Sequence, residues 1–124
     1  MGCIRDHAIV VVCAYGDYLD KAHAEACRIF APTIENGGCA PTAITPAAVN
    51  GSRSFMVPPD GSKEGWPESV AGDARRDEFI AYLESTRYED GSSALKWVEV
   101  RVSDDEDELT IERSYVTTHE QEPA

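Results

Sequence analysis

An uninterrupted apolar segment at residues 8–15 restricts the fold of this chain more than any other feature of its sequence. The segment reads Ala-Ile-Val-Val-Val-Cys-Ala-Tyr and is rich in β-branched residues. An apolar run of this length without polar alternation is typical of a central β-strand that is covered on both faces. Gly16 and Asp17 follow it directly, so we expect the strand to end there.

Two helices are predicted, one in each half of the chain. Asp17 is a candidate N-cap for the first, which extends to about Phe30 and is ended by Pro32. The second covers residues 72–86, beginning at a Gly-Asp pair and carrying apolar residues at helical spacing. Its expected core-facing residues are Phe79, Ile80 and Leu83.

A β-hairpin is predicted around Asn50 and Gly51, because Asn-Gly is a preferred pair for a type I′ turn. Residues 52–57 alternate between two faces and form its second strand. The first strand falls within residues 42–49, where Pro46 would confine it to the edge of a sheet.

A further pair of strands is predicted at residues 95–102 and 109–116. Along the first of them, three valines at alternate positions point one way, whereas Trp97, Glu99 and Arg101 point the other way. Because Trp97 shares its face with two charged residues, we expect its side chain to be partly exposed or covered by the loop at residues 58–66.

The order of the predicted elements is strand, helix, strand, strand, helix, strand, strand. It indicates an α+β fold with two helices on a mainly antiparallel sheet, built on a ferredoxin-like β-α-β-β-α-β core with an extra C-terminal strand. Residues 1–116 are expected to form a single domain, followed by a polar tail at 117–124. The proline- and glycine-rich loop at 58–66 joins the hairpin to the second helix, and we expect Trp66 to cover the core from this loop.

The charge of the chain is extreme and belongs mostly to its second half. The net charge is −12; residues 1–50 contribute −2, and residues 51–124, with 8 basic and 18 acidic side chains, contribute −10. A surface of this sign repels nucleic acid and anionic membranes and attracts basic protein surfaces. No apolar stretch approaches the roughly 20 residues of a membrane helix, so a cytoplasmic protein is expected.

Clustered carboxylates are the predicted binding residues for a basic partner protein. The densest run falls at the tip between the last two strands, where a solvated hairpin tip or a divalent cation site are the alternatives. The run lacks the spacing and the central glycine of a calcium loop. A field that imitates nucleic-acid phosphates is the functional interpretation. The predicted partner-binding residues are Asp104, Asp105, Glu106, Asp107, Glu108, Glu99, Glu112, Glu89 and Asp90.

Cysteine and histidine side chains offer a second kind of site. Cys3 and His7 are four residues apart, as are His23 and Cys27, and the latter pair would share a helix face. Two thiolates and two imidazoles are formally a zinc set, but there is no Cys-x-x-Cys motif and the two halves lie on different elements. We therefore predict no metal and no cofactor, and keep these four residues as weak candidates.

Three functional classes remain open on these patterns. A non-enzymatic binding protein is favoured by the charge of the second half. A small enzyme or metal protein that uses the Cys/His set or the loop from Asp60 to Trp66 is the alternative, although no recognisable catalytic spacing is present. A structural or assembly protein of a virion is the third class, and it would form a defined homo-oligomer; the sequence leaves the oligomeric state open.

Several short segments resemble a group of small uncharacterised phage and prophage proteins, with the similarity extending over roughly residues 7–115. The resemblance implies a virus-encoded accessory protein that works in a bacterial cytoplasm. Small acidic proteins from that setting include inhibitors of host defence such as anti-CRISPR proteins, so a CRISPR effector is an expected class of partner. No functional residue is implied by the resemblance. The segments that carry it are residues 57–66, 72–73, 79–80, 88–93 and 97–100.

Overall fold

The computed structural model describes residues 5–62, 65–103 and 110–116 of the chain. These residues form four strands and three helices. In chain order the elements are β1 (Arg5–Cys13), α1 (Tyr18–Ile29), α2 (Ala31–Glu35), β2 (Arg53–Val57), α3 (Pro67–Ser85), β3 (Lys96–Ser103) and β4 (Thr110–Ser114). In the described parts of the chain, no helix is long and apolar enough to cross a membrane.

The four strands form one antiparallel sheet in the order β2-β1-β3-β4. The predicted α+β class is therefore confirmed. The apolar segment predicted as a central strand is β1, which pairs with β3 from Arg5 to Val12 and with β2 from Ile9 to Cys13.

The described helices pack against one face of the sheet only. Ile9 and Val11 of β1 are fully buried on that face in one hydrophobic core with side chains from α1 and α3. Val10 and Val12 point to the other face and are only half-buried. The prediction that β1 is covered on both faces was wrong, because neither long helix contributes side chains to the valine face.

The orientation of β3 is the reverse of what its composition suggests. Val11 of β1 pairs with Trp97, and Ile9 pairs with Glu99. Because directly paired residues share a face, both β3 side chains point under the helices, where each is 2% exposed. The expectation of a partly exposed Trp97 was wrong, and the intervening valines face outward.

The predicted hairpin is only partly formed. Its second strand is β2, but residues 42–48 are not a strand; they run beside β2 and donate a backbone N–H only at every third residue, from Thr42, Thr45 and Ala48. Pro46 has no N–H to add to this edge. The turn is present, with Gly51 at a φ of 86°. It is not type I′, because that turn needs a positive φ at Asn50 as well, and no non-glycine residue in the described part of the chain has one. With this strand missing, the exact ferredoxin-like order is not confirmed.

The helix boundaries differ from the predicted ones where proline is concerned. Pro32 does not end the helical region; it lies in the first turn of α2, a position that needs no backbone N–H. Similarly, α3 begins at Pro67 rather than at residue 72. Trp66 is the N-cap residue of α3 and is 50% exposed, so the prediction that it covers the core was wrong.

Candidate partner-binding surface

A buried carboxylate organises the charges beneath α3. Glu99 of β3 accepts a hydrogen bond from Arg113 Nε at 2.7 Å, and its second oxygen lies 3.5 Å from His7 Nδ1 and 3.6 Å from Arg76 Nε. Burial alone would raise the pKa of Glu99, but the contacts with His7 and Arg113 more than reverse this effect and lower it to about 2. Of the Glu99 contacts with Arg113 and His7, the one with Arg113 is the better formed. His7 Nδ1 has no hydrogen-bond partner among the described residues.

Arg76 extends this network to the loop before α3. Its guanidinium, on a side chain that is 8% exposed, pairs with Asp73 one turn earlier and with Asp60 of the loop at 3.4 Å. Asp60 also accepts hydrogen bonds from the N–H and hydroxyl groups of Ser62. Burial raises the pKa of Asp60, but the Ser62 and Arg76 contacts outweigh burial and lower it. The Arg76–Asp60 ion pair thus holds the loop before α3 against the helix.

The other arginines of the second half are also paired with carboxylates, with one exception. Arg87 donates instead to the backbone carbonyls of Glu84 and Gly91, which satisfies acceptors at the C-terminal end of α3. Most arginine charge in the described part of residues 51–116 is therefore neutralised inside the protein. The pairs are Arg53–Asp20, Arg75–Glu68, Arg101–Glu112 and Arg113–Asp77.

Three exposed carboxylates have no ion pair within the described residues of this half, and they are close in sequence. Glu84 lies in the last turn of α3, and Glu89 and Asp90 lie in the turn that follows. We call these three residues the α3-end surface. Hydrogen bonds from the Ser92 hydroxyl and N–H lower the pKa of Asp90. The negative end of the α3 dipole adds to the same potential.

A groove of about 540 Å³ opens beside the α3-end surface, between the end of α3 and β4. Glu84 lines it together with Trp97, Arg113 and Tyr115. Two arginines also line the groove: Arg113 is held by Glu99 and Asp77, and Arg87 donates to backbone carbonyls. Neither forms an ion pair with Glu84, so this carboxylate remains open to a cationic side chain of a partner.

The predicted partner-binding residues that the structure describes lie in different environments. Glu99 is buried and belongs to the charge network, so it is not a surface carboxylate. Glu112 is paired with Arg101, whereas Glu89 and Asp90 are exposed. The acidic run from Asp104 to Glu108 lies outside the described residues.

The cysteine and histidine candidates are also separated. His7 contacts Glu99, whereas His23 contacts Cys27, with 3.9 Å between Nδ1 and Sγ. Cys3 lies outside the described residues. Among the residues that the structure describes, no three His, Cys, Asp or Glu side chains gather as a metal site.

The roles of Glu84 and Arg76 were not predicted from the sequence, which gave only the core-facing side of this helix. Arg87 stands three positions after Glu84, a spacing at which an ion pair can form, and only the structure shows that its side chain donates to backbone carbonyls instead. Gly72 was expected to start the helix, but it lies inside α3, where its missing Cβ leaves room for Asp60, the partner of Arg76.

No family model matches this chain, and comparison with curated proteins and with solved structures found no similar protein.

Proposed function

We propose that this protein is a non-enzymatic, virus-encoded inhibitor that binds a basic, nucleic-acid-handling protein of a bacterial host, such as a CRISPR effector. Its carboxylates take the place of nucleic-acid phosphates on that partner. The protein acts in the host cytoplasm and needs no cofactor.

The observation that carries this proposal is the division of the charges into paired and unpaired groups. Apart from Arg87, the described arginines of the second half pair with carboxylates of the protein itself. The α3-end surface keeps its negative charge and presents it to solvent. A partner with a basic surface gains its electrostatic contacts here without first displacing an internal ion pair.

The groove beside this surface gives the interaction a specific contact as well as a long-range one. A lysine or arginine of the partner can enter the groove and reach the Glu84 carboxylate. Such contacts resemble those that basic side chains make with nucleic-acid phosphates. Binding of this kind releases counterions and therefore weakens steeply as the salt concentration rises. The acidic run from Asp104 to Glu108, which follows β3 in the chain, supplies a second contact region.

The test is capture of partners from a bacterial lysate at low salt (about 50 mM) and high salt (about 500 mM), a range over which phosphate-like contacts lose most of their affinity. We expect a basic nucleic-acid-binding protein to be recovered at low salt only. Glu84→Lys with Glu89→Lys should abolish its recovery.

Glu35→Lys is the matched control for a single Glu89→Lys change. Both residues are exposed, neither has an ion pair among the described residues, and the net charge changes equally. The two glutamates lie near opposite ends of α1. Glu89 follows Tyr88, whose ring lies 5.3 Å from that of Tyr18 at the start of α1, whereas Glu35 ends α2, which follows the other end of α1. Recovery that is insensitive to salt, or equally reduced by both variants, would contradict the proposal.

A second variant separates the two acidic regions. Replacing Asp104, Asp105, Glu106 and Asp107 by lysine should weaken binding and flatten its salt dependence. If this variant and the Glu84→Lys, Glu89→Lys variant both bind as the wild type does at low salt, the electrostatic mechanism is wrong.

A further inference from the structure

The exposed face of α1 holds a thiol and an imidazole in contact, apart from the acidic surfaces. Cys27 Sγ lies 3.9 Å from His23 Nδ1 and 4.0 Å from Nε2, since the two residues are one helical turn apart. Cys27 is exposed and His23 is half-buried, so the sulfur is accessible to a small molecule.

The surroundings of His23 determine which of its nitrogens can accept a proton. Nε2 lies 2.9 Å from the backbone oxygen of Thr42. A carbonyl oxygen only accepts hydrogen bonds, so Nε2 must carry the hydrogen. In the neutral ring Nδ1 therefore has the free lone pair, and it lies about as far from the Cys27 sulfur as Nε2 does, at 3.9 Å against 4.0 Å. The ring is held in this orientation by Phe55, which it meets edge-on at 5.0 Å.

This arrangement has the parts of an activated nucleophile: a thiol, a base within reach and a third group that orients the base. We propose that Cys27 is a site of covalent thiol modification, with His23 as the base and small disulfides as the reacting class. The proposal does not depend on the partner-binding function.

The reaction is a thiol–disulfide exchange. The Cys27 proton moves to His23 Nδ1, and the sulfur attacks one sulfur of the disulfide. The S–S bond of the reagent breaks as a new S–S bond forms to Cys27. The departing thiolate takes a proton from the imidazolium or from water, so no external oxidant or reductant is needed.

Two other cysteines provide internal comparisons. Cys39 is exposed like Cys27, but no imidazole contacts it among the described residues. Cys13 is buried, and its thiol donates to the backbone oxygens of Tyr15 and Ala94. Cys39 therefore gives the reactivity of an exposed thiol in this protein, and Cys13 reports whether the fold is intact.

The experiment measures the reaction of the intact protein with 5,5′-dithiobis(2-nitrobenzoate) near neutral pH. A Cys3→Ser, Cys39→Ser variant leaves Cys27 as the exposed thiol, and a Cys3→Ser, Cys27→Ser variant leaves Cys39. We expect Cys27 to react at least about tenfold faster than Cys39, a modest effect for a positioned base. Adding His23→Gln to the first variant should bring its rate to within about twofold of the Cys39 rate.

Two outcomes overturn the proposal. One is equal rates for Cys27 and Cys39, a comparison that leaves His23 in place and so does not depend on the folding of a His23 variant. The other is a Cys27 rate unchanged by His23→Gln while Cys13 stays unreactive. If Cys13 reacts in the His23→Gln variant, the fold is disturbed, and the same comparison is made with His23→Asn instead. An unchanged Cys27 rate in the His23→Asn variant counts equally against the proposal.

Discussion

Glu99 Oε1 accepts a hydrogen bond from Arg113 Nε at 2.7 Å, although the glutamate side chain is 2% exposed and that of the arginine is 38% exposed. The pair joins the buried face of β3 to its neighbour β4 and brings a charge under α3. A buried carboxylate is stable only when cations and hydrogen bonds replace its water, and here Arg113 and Arg76 do so.

Removing the charge of Glu99 should destabilise the fold strongly. Glu99→Gln removes the buried carboxylate that Arg113 and Arg76 share, although both arginines keep other carboxylates. We expect the free energy of unfolding in urea to fall by about 3 kcal/mol, at the lower end of the effect of breaking a buried ion pair. Glu112→Gln breaks the more exposed pair with Arg101 and should cost less than about 1 kcal/mol. Equal losses for the two variants would show that Glu99 does not hold the network.

The same carboxylate makes stability depend on pH in the acid range. The pKa of Glu99 is about 2 in the folded protein against an ordinary 4.5, so the unfolded chain binds more protons between these values. The stabilisation from Glu99 is therefore complete above about pH 4.5 and disappears as the pH falls towards 2, up to about 3 kcal/mol. Urea unfolding of the wild type and Glu99→Gln should show their stability difference narrowing from pH 7 to pH 3; a constant difference would refute this assignment.

Gly72→Ala should destabilise the protein, although alanine is the better helix former. Gly72 is buried inside α3, and a Cβ there would overlap Asp60 Oδ2, which is paired with Arg76. We expect a net loss, because displacing the pair costs about 2 to 3 kcal/mol and the gain in helix propensity is only about 1 kcal/mol. Ala74→Gly on the exposed side of α3 calibrates propensity alone. A Gly72→Ala variant more stable than the wild type would mean that Asp60 does not pack there.

The two tryptophans should differ clearly in fluorescence. Trp97 is 2% exposed and Trp66 is 50% exposed. Trp66→Phe should leave a blue-shifted emission that acrylamide quenches weakly, whereas Trp97→Phe should leave a red-shifted and readily quenched one. The opposite pattern would mean that the valine face of β3 is the buried one.

Local patterns predicted most of the elements and the fold class. The apolar run of β1, the alternation in β2 and β3, and the spacing of Phe79, Ile80 and Leu83 each indicated the correct type of structure. These signals are local because side-chain period reflects backbone geometry directly. The sequence also singled out Glu89 and Asp90, which the structure shows to be exposed.

The face of β3 that is buried was not predictable from its own residues. Three alternating valines favour burial more than a Trp-Glu-Arg face does, and alternation alone cannot tell which face meets the helices. The register of β3 against β1 decides it, by placing Trp97 beside Val11 and Glu99 beside Ile9. The burial of Glu99 becomes tolerable only because Arg76 and Arg113 arrive from two other elements.

The sequence by itself determined the α+β class, the central position of β1 and the acidity of the second half. Periodicity and charge are properties of neighbouring residues and need no tertiary contact to be recognised. Only the tertiary structure decided which carboxylates are neutralised and which remain free. Ion pairing depends on distances between residues far apart in sequence, such as Arg76 with Asp60 or Arg113 with Asp77.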